Sequence, residues 1–521
     1  MKILAFVLSC IIVMCTFSSC ATPDAPSTTP KKPSETPKPD EPEIEYIEMY
    51  YDDRINVNVF FGGLADNLEI KDQVVTSKVI GTDQSDTDVV IYDENTCRLI
   101  AVGTGTCVIS ANGKDHHVRV NPAPILFAIV VGTSSGYGTG GNVDQTVLCE
   151  AGQVYNTHLL ISSEKWNLDW RDDFVGSSLG YTEADRVENI DMHTVDAGKV
   201  KGFKGVDSSF AYEWNRLTGD KVWLLNCGVG GSCINEWQAD AKENWGRYSV
   251  EAMNMAMEIL KNEVAAGHYE YNTTVMINFN GGNFDQKKAP YDDDTLIKWH
   301  DGLWNMFAEG AKHDIDGDGE IDVPEYLGYA PSWSPTRTAF ITDVPLAYYR
   351  AALKEYPNVF LASDFRRHLK TDAEIYYNFP RIKYKTLDGK EQKRPTTIAE
   401  AYGDKLFHMS QLTYNEVGFQ TAQNLYLNIY GGGEIKELFL YDITNEGNGV
   451  EVGDTIMVKS GEKRQFVLIS EPVGISDFEV TVEGHLSLDG IFYVTATAKG
   501  TGKLIIKRGD TIIRTVNIII E

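Results

Sequence analysis

The stretch ILFAIVVGTSSG, from Ile125 to Gly136, decides the fold class of the central part of this chain. Its apolar run continues without a break to Gly132 and then meets small hydroxyl residues. An unbroken apolar run is typical of a parallel strand that is covered on both faces, because a half-exposed strand would alternate. Ligands of α/β proteins bind at the carboxyl ends of such strands. We therefore expect a buried strand that ends at Gly132 and a functional loop after it.

Similar runs on the C-terminal side predict an α/β region over residues 122–432. The runs KVWLLNC, TTVMINF and NVFLAS are separated by helical stretches such as the amphipathic YSVEAMNMAMEILKNEVAAG. Alternation of buried strands with helices favours a parallel sheet between two helical layers. The expected architecture is a three-layer, flavodoxin-like α/β domain.

The segments on both sides of this region, 44–121 and 433–521, predict two small β-sandwiches. Short runs with period-two alternation recur in both, among them INVNVFF, DVVIY and CVIS in the first and TIMVKS, FEVTVEG and KLIIK in the second. Each segment also places Gly-Thr-Gly before an apolar strand, starting at Gly103 and Gly500. This pattern resembles the bacterial Ig-like repeat of cell-surface proteins, which implies a role in spacing or in contact with sugar.

The N-terminus predicts export. Lys2 precedes the apolar run ILAFVLSCIIVMC, and the following Phe17-Ser18-Ser19-Cys20 resembles a bacterial lipobox, so residues 1–20 are a candidate lipoprotein signal peptide. The resemblance implies lipidation of Cys20 and anchoring in the outer membrane, on the cell surface or the periplasmic face. A plain cleaved signal peptide is the alternative. Residues 21–43, rich in Pro, Thr and charge, predict an extended linker.

The charge of the chain argues against nucleic acid and anionic lipid headgroups as partners. Its 521 residues contain 47 Lys and Arg against 75 Asp and Glu, which gives a net charge of −28. No basic cluster interrupts this balance, so a polyanion would be repelled. A neutral or cationic partner fits the charge better, and a neutral glycan is one such partner.

The cysteines allow one disulfide prediction. Five of the eight cysteines follow residue 20, so at least one thiol stays free. Cys97 and Cys107 flank a predicted hairpin and form the best candidate pair in an exported protein.

Four residue types follow the strands of the α/β region in a suggestive order. Ser134 ends the first run, Gly230 lies in the block GVGGSCINEW, Asn283 lies in TTVMINFNGGNFD, and His408 lies in FHMSQLTYNEVG. Serine, glycine, asparagine and histidine in this order resemble the SGNH hydrolases. The blocks GGS-x-I-x-x-W and GVDSSFAYEW resemble the sialate O-acetylesterase and acetylxylan esterase branch of that superfamily.

This resemblance implies a serine esterase that removes O-acetyl groups from glycans. Ser134 would be the nucleophile, and His408 would act first as base and then as acid. The backbone N–H groups of Ser134 and Gly230 and the amide of Asn283 would form the oxyanion hole. Such chemistry requires no cofactor.

The sequence departs from the family pattern at several positions. The helper acid normally stands three residues before the histidine, where this chain has Lys405; the nearest acid is Asp404. Thr133 and Ser135 replace the usual neighbours of the serine. Two alternatives therefore stay open: a catalytically degenerate glycan-binding lipoprotein of the same fold, and Ser135 as the nucleophile.

A second motif, DIDGDGEIDVPE, predicts a calcium loop that is independent of the esterase chemistry. Its spacing fits a calcium-binding loop with a sharp turn at Gly319, although the residues after it are poor helix formers, unlike those of an EF-hand. The expected ligands of a structural Ca²⁺ are Asp314, Asp316, Asp318, Glu320, Asp322 and Glu325. A solvated acidic turn is the alternative.

Overall fold

The computed structural model describes most of the chain after residue 43. The described residues are 44–136, 138, 140–147, 149, 154–158, 205–229, 232–242, 245–279, 293–330, 358–363, 375, 381–386, 388–391, 393–402, 408–442, 444, 450–472, 475, 478–489 and 492–521.

The first described region is built from two sheets that share one core. Its elements are β1 (Tyr46–Tyr50), β2 (Arg54–Asn56), α1 (Val57–Phe60), β3 (Glu69–Val75), β4 (Val90–Asp93), β5 (Arg98–Ala101), β6 (Gly105–Ala111) and β7 (Lys114–Asn121). One sheet has the order β1-β7-β6-β3 and the other the order β2-β5-β4. Leu99 of β5, Ile109 of β6 and Val118 of β7 are fully buried in the core that the two sheets share.

The run INVNVFF, predicted as one strand, is a strand only in its first part. The prediction was wrong from Val57 onward, where the chain forms the helical turn α1. The Asn56 side chain accepts a hydrogen bond from the Asn58 backbone N–H at 3.0 Å, which caps this turn. Asparagine side chains commonly compete with strand pairing in this way, so the local bond overrides the alternating pattern.

The predicted disulfide between Cys97 and Cys107 is also wrong, because both thiols are free. Strands β5 and β6 do not form a hairpin: they belong to different sheets. Cys97 is exposed in the turn before β5, where its thiol contacts the Glu94 carbonyl at 3.8 Å. Cys107 is 2% exposed in the core between the sheets.

The central region is an α/β structure around a parallel sheet. Its elements are β8 (Ala123–Gly132), β9 (Val154–His158), α2 (Asp207–Thr218), β10 (Lys221–Asn226), α3 (Trp245–Ala266), β11 (Tyr269–Phe279), α4 (Asp293–Gly310), β12 (Tyr326–Tyr329), β13 (Val359–Leu361), α5 (Ile398–Tyr402) and α6 (Gln411–Tyr430). The six strands have the order β13-β12-β11-β8-β10-β9, and all their pairings are parallel.

Strand β8 lies inside this sheet and is buried on both faces, as its apolar run predicts. Phe127 and Ile129 face one core together with residues of α3 and α4. Ala128 and Val130 face a second core together with residues of α2 and α6. Strand β10 lies next to β8 on one side, and the later strand β11 lies next to it on the other side. Ligands of α/β sheets bind at such a switch point. Among the described residues, no helix is both long enough and apolar enough to cross a membrane.

The last region is again β-rich. Its strands are β14 (Glu437–Asp442), β15 (Val450–Glu451), β16 (Thr455–Val458), β17 (Lys463–Glu471), β18 (Glu479–Gly484), β19 (Leu486–Asp489), β20 (Tyr493–Ala496), β21 (Gly500–Arg508) and β22 (Thr511–Ile520). They form two sheets, β15-β14-β17-β20-β19 and β16-β22-β21-β18, around a shared core. Tyr441, Val467 and Ile469 lie instead in the core that contains α3 and α4, so this region packs directly on the α/β region.

A buried histidine joins the first region to the α/β region. His268 is 4% exposed; its Nδ1 contacts Glu263 of α3 at 2.7 Å, and its Nε2 contacts Asp86 of the first region at 2.8 Å. Its ring stacks on Tyr51 at 4.3 Å between centroids. Burial lowers the pKa of His268, but the hydrogen bonds to the two carboxylates outweigh this effect and raise it. The charged imidazolium therefore fits this position.

Candidate active site

The loop that follows β8 begins with a backbone conformation that only glycine adopts easily. Gly132 has a φ of +129°, and a Cβ at this position would lie 2.7 Å from the Phe279 carbonyl carbon on the neighbouring strand. The turn therefore starts directly at the sheet edge. Thr133 and Ser135 after it are buried, whereas Ser134 between them is partly exposed.

The structure brings Ser134 and His408 together. Ser134 Oγ and His408 Nε2 are 3.1 Å apart, within hydrogen-bond distance. His408 stands just before α6, whose first turn is capped by the Ser410 side chain. Gly140 allows the loop after Ser134 to pass close to the histidine: its φ is +92°, and a Cβ there would lie 2.8 Å from His408 Cβ.

The surroundings of His408 favour its neutral form. The residue is half-buried, and this burial lowers the pKa of the imidazole below its usual value. A neutral imidazole can accept the hydroxyl proton of the neighbouring serine, whereas an imidazolium cannot. The hydroxyl and the imidazole are therefore placed for proton transfer between them.

Ser135 has a different environment from Ser134. It is 7% exposed, and its hydroxyl forms a hydrogen bond with Tyr414 of α6, which is fully buried. Burial raises the pKa of Tyr414, so the phenol keeps its proton. Because Ser135 is committed to this contact in the core, Ser134 is the better placed of the two hydroxyls for an external substrate.

Beside this loop lies a buried amide that the sequence interpretation did not single out. Asn226, at the end of β10, is 1% exposed and donates from Nδ2 to the Gly136 carbonyl at 3.0 Å and to the Asp207 carboxylate at 3.1 Å. Its Oδ1 accepts from the Gly228 backbone N–H at 2.9 Å. The available signal was a polar residue that ends the apolar run KVWLLN directly before a glycine-rich segment.

The described part of that glycine-rich segment is fixed to the sheet on one side and to a short turn on the other. The Val229 N–H donates to the Gly132 carbonyl at 2.8 Å. Ser232 contacts the Val229 carbonyl through its hydroxyl at 2.8 Å, and the same hydroxyl accepts from Trp237 Nε1 at 3.0 Å. Gly230, predicted as an oxyanion donor, lies between these anchored residues but outside the described part of the chain, as do Asn283 and Asp404.

The acidic loop between α4 and β12 partly gathers its carboxylates. Oxygens of Asp314, Asp316 and Asp322 lie within 4.8 Å of one another. Asp314 also accepts from the Gly317 and Gly319 backbone N–H groups, at 2.7 and 3.2 Å, which folds the loop around its carboxylate. This convergence is suited to a hard cation with oxygen ligands.

The other predicted calcium ligands are placed differently. Asp318 accepts from the Glu320 backbone N–H at 2.8 Å, and Glu325 accepts from the Thr273 hydroxyl of β11 at 2.7 Å. Burial raises the pKa of Asp322, and the neighbouring carboxylates of Asp316 and Asp318 raise it further. A bound cation would relieve this repulsion. The loop leads directly into strand β12 rather than into a helix, as the sequence predicts.

Comparisons with known proteins identify only remote structural relatives. No protein-family model matches the chain, and no curated protein matches it. The chain is similar to a protein from Arabidopsis thaliana (12% identity, 59% of this chain and 99% of that chain, TM-score 0.29). It is also similar to a carbohydrate acetylesterase from Xanthomonas citri (13% identity, 90% of each chain, TM-score 0.33) and to NanS (10% identity, 60% of this chain and 98% of that chain, TM-score 0.32). Because these TM-scores are low, we base no argument on the likenesses.

Proposed function

We propose that this protein is a serine carbohydrate O-acetylesterase of the SGNH hydrolase type, with Ser134 as nucleophile and His408 as general base. The observation that carries the proposal is the 3.1 Å contact between Ser134 Oγ and His408 Nε2 at the carboxyl edge of a parallel sheet. These residues are 274 positions apart in the chain, so their contact is not a consequence of local sequence.

The reaction consists of two acyl transfers. Ser134 Oγ attacks the acetyl carbonyl carbon while its proton passes to His408 Nε2. The tetrahedral intermediate collapses, the bond to the sugar oxygen breaks, and His408 returns the proton to that oxygen. Water, activated by the same histidine, then attacks the acetyl-serine, which releases acetate and restores the hydroxyl.

Oxyanion stabilisation is proposed for the backbone N–H groups of Ser134 and Gly230 and for the Asn283 amide. A described neighbour supports this role for Gly230, because the Val229 N–H bonds to the Gly132 carbonyl at the start of the nucleophile loop. Asp404 is proposed as the orienting acid. Its off-register position, four residues before His408, leads us to expect a weaker contribution than that of a well-placed triad aspartate.

The proposed substrate is an acetylated glycan. The net charge of −28 disfavours polyanionic substrates and leaves neutral carbohydrate as the best match. The two-sheet regions before and after the α/β region are proposed as Ig-like modules that position it. Boundaries at residues 44–121, 122–432 and 433–521 belong to the same proposal.

Two further assignments complete the proposal. The loop from Asp314 to Glu325 is proposed to bind a structural Ca²⁺, supported by the convergence of Asp314, Asp316 and Asp322. The N-terminal segment is proposed as a lipoprotein signal with lipidation at Cys20, which anchors the protein in the outer membrane. The latter rests on the lipobox-like sequence alone, since residues 1–43 lie outside the described part of the chain.

Hydrolysis of p-nitrophenyl acetate, followed by release of acetate from acetylated xylan or acetylated sialic acid, tests the proposal. We expect turnover by the wild type, and loss of about 10⁴-fold or more in kcat for Ser134→Ala and His408→Ala, because each removes a member of the reacting pair. Asp404→Asn should cost less than about 10⁴-fold.

Ser135→Ala is the matched control for the nucleophile. It removes the neighbouring hydroxyl and should retain most of the activity, with a lower melting temperature from the lost Tyr414 contact. Activity lost in Ser135→Ala and kept in Ser134→Ala would reassign the nucleophile. A wild type that binds acetylated glycan without releasing acetate would instead favour the glycan-binding alternative.

A further inference from the structure

The structure assigns to Asn226 the role of a positioning residue, which couples the nucleophile loop to the glycine-rich oxyanion segment through one side-chain amide. This inference rests on the proposed function, because it concerns how the two halves of that esterase site are kept in register. The amide contacts neither Ser134 nor His408 in the hydrogen bonds described above, and we infer that it acts through the backbone of the two segments.

Both ends of the Asn226 amide form hydrogen bonds. Nδ2 donates to the carbonyl of Gly136, two residues after Ser134, at 3.0 Å. Oδ1 accepts from the N–H of Gly228, two residues before Gly230, at 2.9 Å. A single planar group therefore joins Gly136, after the nucleophile, to the segment that carries the proposed oxyanion donor, in addition to the backbone bond from Val229 to Gly132.

The two hydrogen-bond partners of the Asn226 amide fix its orientation. Gly136 offers a carbonyl oxygen, which only accepts, and Gly228 offers an N–H, which only donates. In the flipped amide, Oδ1 would face the Gly136 carbonyl oxygen, and Nδ2 would face the Gly228 N–H. The assignment of Oδ1 and Nδ2, which is ambiguous for many asparagines, is therefore fixed by the partners.

The Asp207 carboxylate also accepts from Asn226 Nδ2. Asp207 is fully buried at the first position of α2, and both of its oxygens lie 3.1 Å from Asn226 Nδ2. A carboxylate at a helix N-terminus is stabilised by the helix dipole, and a charge-assisted hydrogen bond is stronger than a neutral one. Asp207 thus holds the amide in place, and α2 is tied to the site through it.

The backbone ladder alone does not supply this coupling. Strands β8 and β10 are hydrogen-bonded up to Val130 and Asn226, and the last bond beyond them joins Val229 to Gly132. Gly136 lies beyond the last of these backbone bonds, after the nucleophile. Only the Asn226 side chain among the bonds described above connects Gly136 to the glycine-rich segment. A displacement of about 1 Å between nucleophile and oxyanion donors is enough to cost about 100-fold in rate.

The test uses Asn226→Asp and Asn226→Ala in the full-length protein. Asn226→Asp keeps the shape but presents an acceptor to Gly136 and to Asp207, so we expect kcat for p-nitrophenyl acetate to fall about 100-fold at neutral pH, with little change in KM. Two carboxylates at this distance repel, so the pair takes up a proton more readily as the pH falls. A single proton on this pair is shared between the two carboxyl groups, so the Gly136 carbonyl stays without a donor and the ratio of variant to wild-type kcat should stay low as the pH falls. Asn226→Ala, which also lacks the donor, should show the same loss.

Asn254→Asp is the matched control for buried-amide loss. Asn254 of α3 is 8% exposed and donates from Nδ2 to the carbonyls of Val250 and Gly310, at 2.9 and 2.8 Å. We expect its aspartate variant to lower the melting temperature as much as Asn226→Asp while leaving kcat and its pH dependence unchanged. Equal kcat in both variants at equal melting temperature would overturn the positioning role, because the effect would then be stability alone.

Hydrogen exchange provides a readout that does not depend on turnover. In Asn226→Ala, exchange at the Gly228 amide and in residues 133–136 should be faster than in the wild type, and exchange in α3 should be unchanged. Unchanged exchange in both segments would overturn the inference even in an active enzyme. A wild type that lacks esterase activity but shows this coupled change would reject the proposed function and retain the positioning role of Asn226.

Discussion

At the level of single residues, two adjacent serines have been given opposite environments by one turn of backbone. The left-handed conformation at Gly132 ends the strand, after which Ser134 emerges toward His408 and Ser135 points to Tyr414 in the core. The side chains are chemically identical, so their difference in expected reactivity comes only from the neighbours that the fold supplies.

The pH dependence of activity follows from His408. Its pKa is lowered by burial, and only the neutral imidazole can act as base, so kcat/KM should fall as the pH drops through a pKa below the usual histidine value of about 6.5. A pH–rate profile measures this directly. An acidic limb centred clearly above that value would contradict the assigned environment of His408.

The sequence interpretation named the two residues that the structure brings together, but it did not name the buried amide beside them. Ser134 and His408 could be predicted because they occur in a family-like order at the ends of apolar runs. Asn226 was not singled out, because its bonds to Gly136 and Asp207 join segments that are distant in the chain, and the local sequence shows only a polar residue at the end of an apolar run.

At the level of elements, the sequence predictions were correct where one physical effect, such as burial, outweighed the others. The apolar run of β8 demands burial on both faces, and it is a buried strand of a parallel sheet. The alternation in INVNVFF competed with the capping bond of Asn56, and the local bond decided. The Cys97–Cys107 pairing assumed that neighbouring strands form a hairpin, but a sandwich places them in different sheets, which sequence spacing does not reveal.

The acidic loop is expected to bind Ca²⁺ and thereby to stabilise the α4–β12 connection. Chelation by EDTA should lower the melting temperature, and Ca²⁺ at about 100 times its Kd should restore about 2.7 kcal/mol of stability. Asp314→Asn should abolish the response, because Asp314 is one of the three converging carboxylates. An identical melt with EDTA and with Ca²⁺, together with no calcium by elemental analysis, would leave the loop as a solvated acidic turn.

The His268 contact predicts a pH-dependent attachment between the first region and α3. The pKa of His268 in the folded state is above its unfolded value of 6.5, so its stabilising contribution is fully present below pH 6.5 and is lost as the pH rises through the raised value. Between about pH 5 and about pH 9, the wild type should therefore lose more stability than His268→Gln. His117→Gln, which changes a half-buried histidine of the first region, should lose as much stability over this pH range as the wild type. Parallel stability curves for wild type and His268→Gln would refute the prediction.

At the level of the whole molecule, both β-rich regions pack directly against the α/β region. Tyr441 and Val467 of the last region are buried in the same core as Met253 and Leu260 of α3. The first region is joined through His268 and through the ion pair between Asp53 and Lys221, at 3.0 Å. We therefore expect the two β-rich regions to hold the α/β region, and the site in it, in a fixed orientation relative to themselves.

Membrane attachment is expected to depend on a single residue outside this packed body. Replacing Cys20 by alanine removes the thiol that would carry the lipid, so we expect the protein to move from the membrane fraction to the soluble fraction. Acyl chains supply about 0.8 kcal/mol for each buried CH₂ group, which the linker cannot replace. Fractionation followed by immunoblotting measures the shift, and equal partitioning of wild type and Cys20→Ala would refute lipidation.

The separation of Ser134 from His408 in the chain has a consequence for when the site comes into existence. Because the two residues are 274 positions apart, a ribosome that has just completed the serine strand must still add most of the α/β region before His408 is made. Loop closure over such a distance is entropically costly and is offset only by the contacts of the intervening elements. A chain that ends between Ser134 and His408 therefore carries the serine without its proposed base. The proposed reactive pair can therefore form only after most of the α/β region has been synthesised.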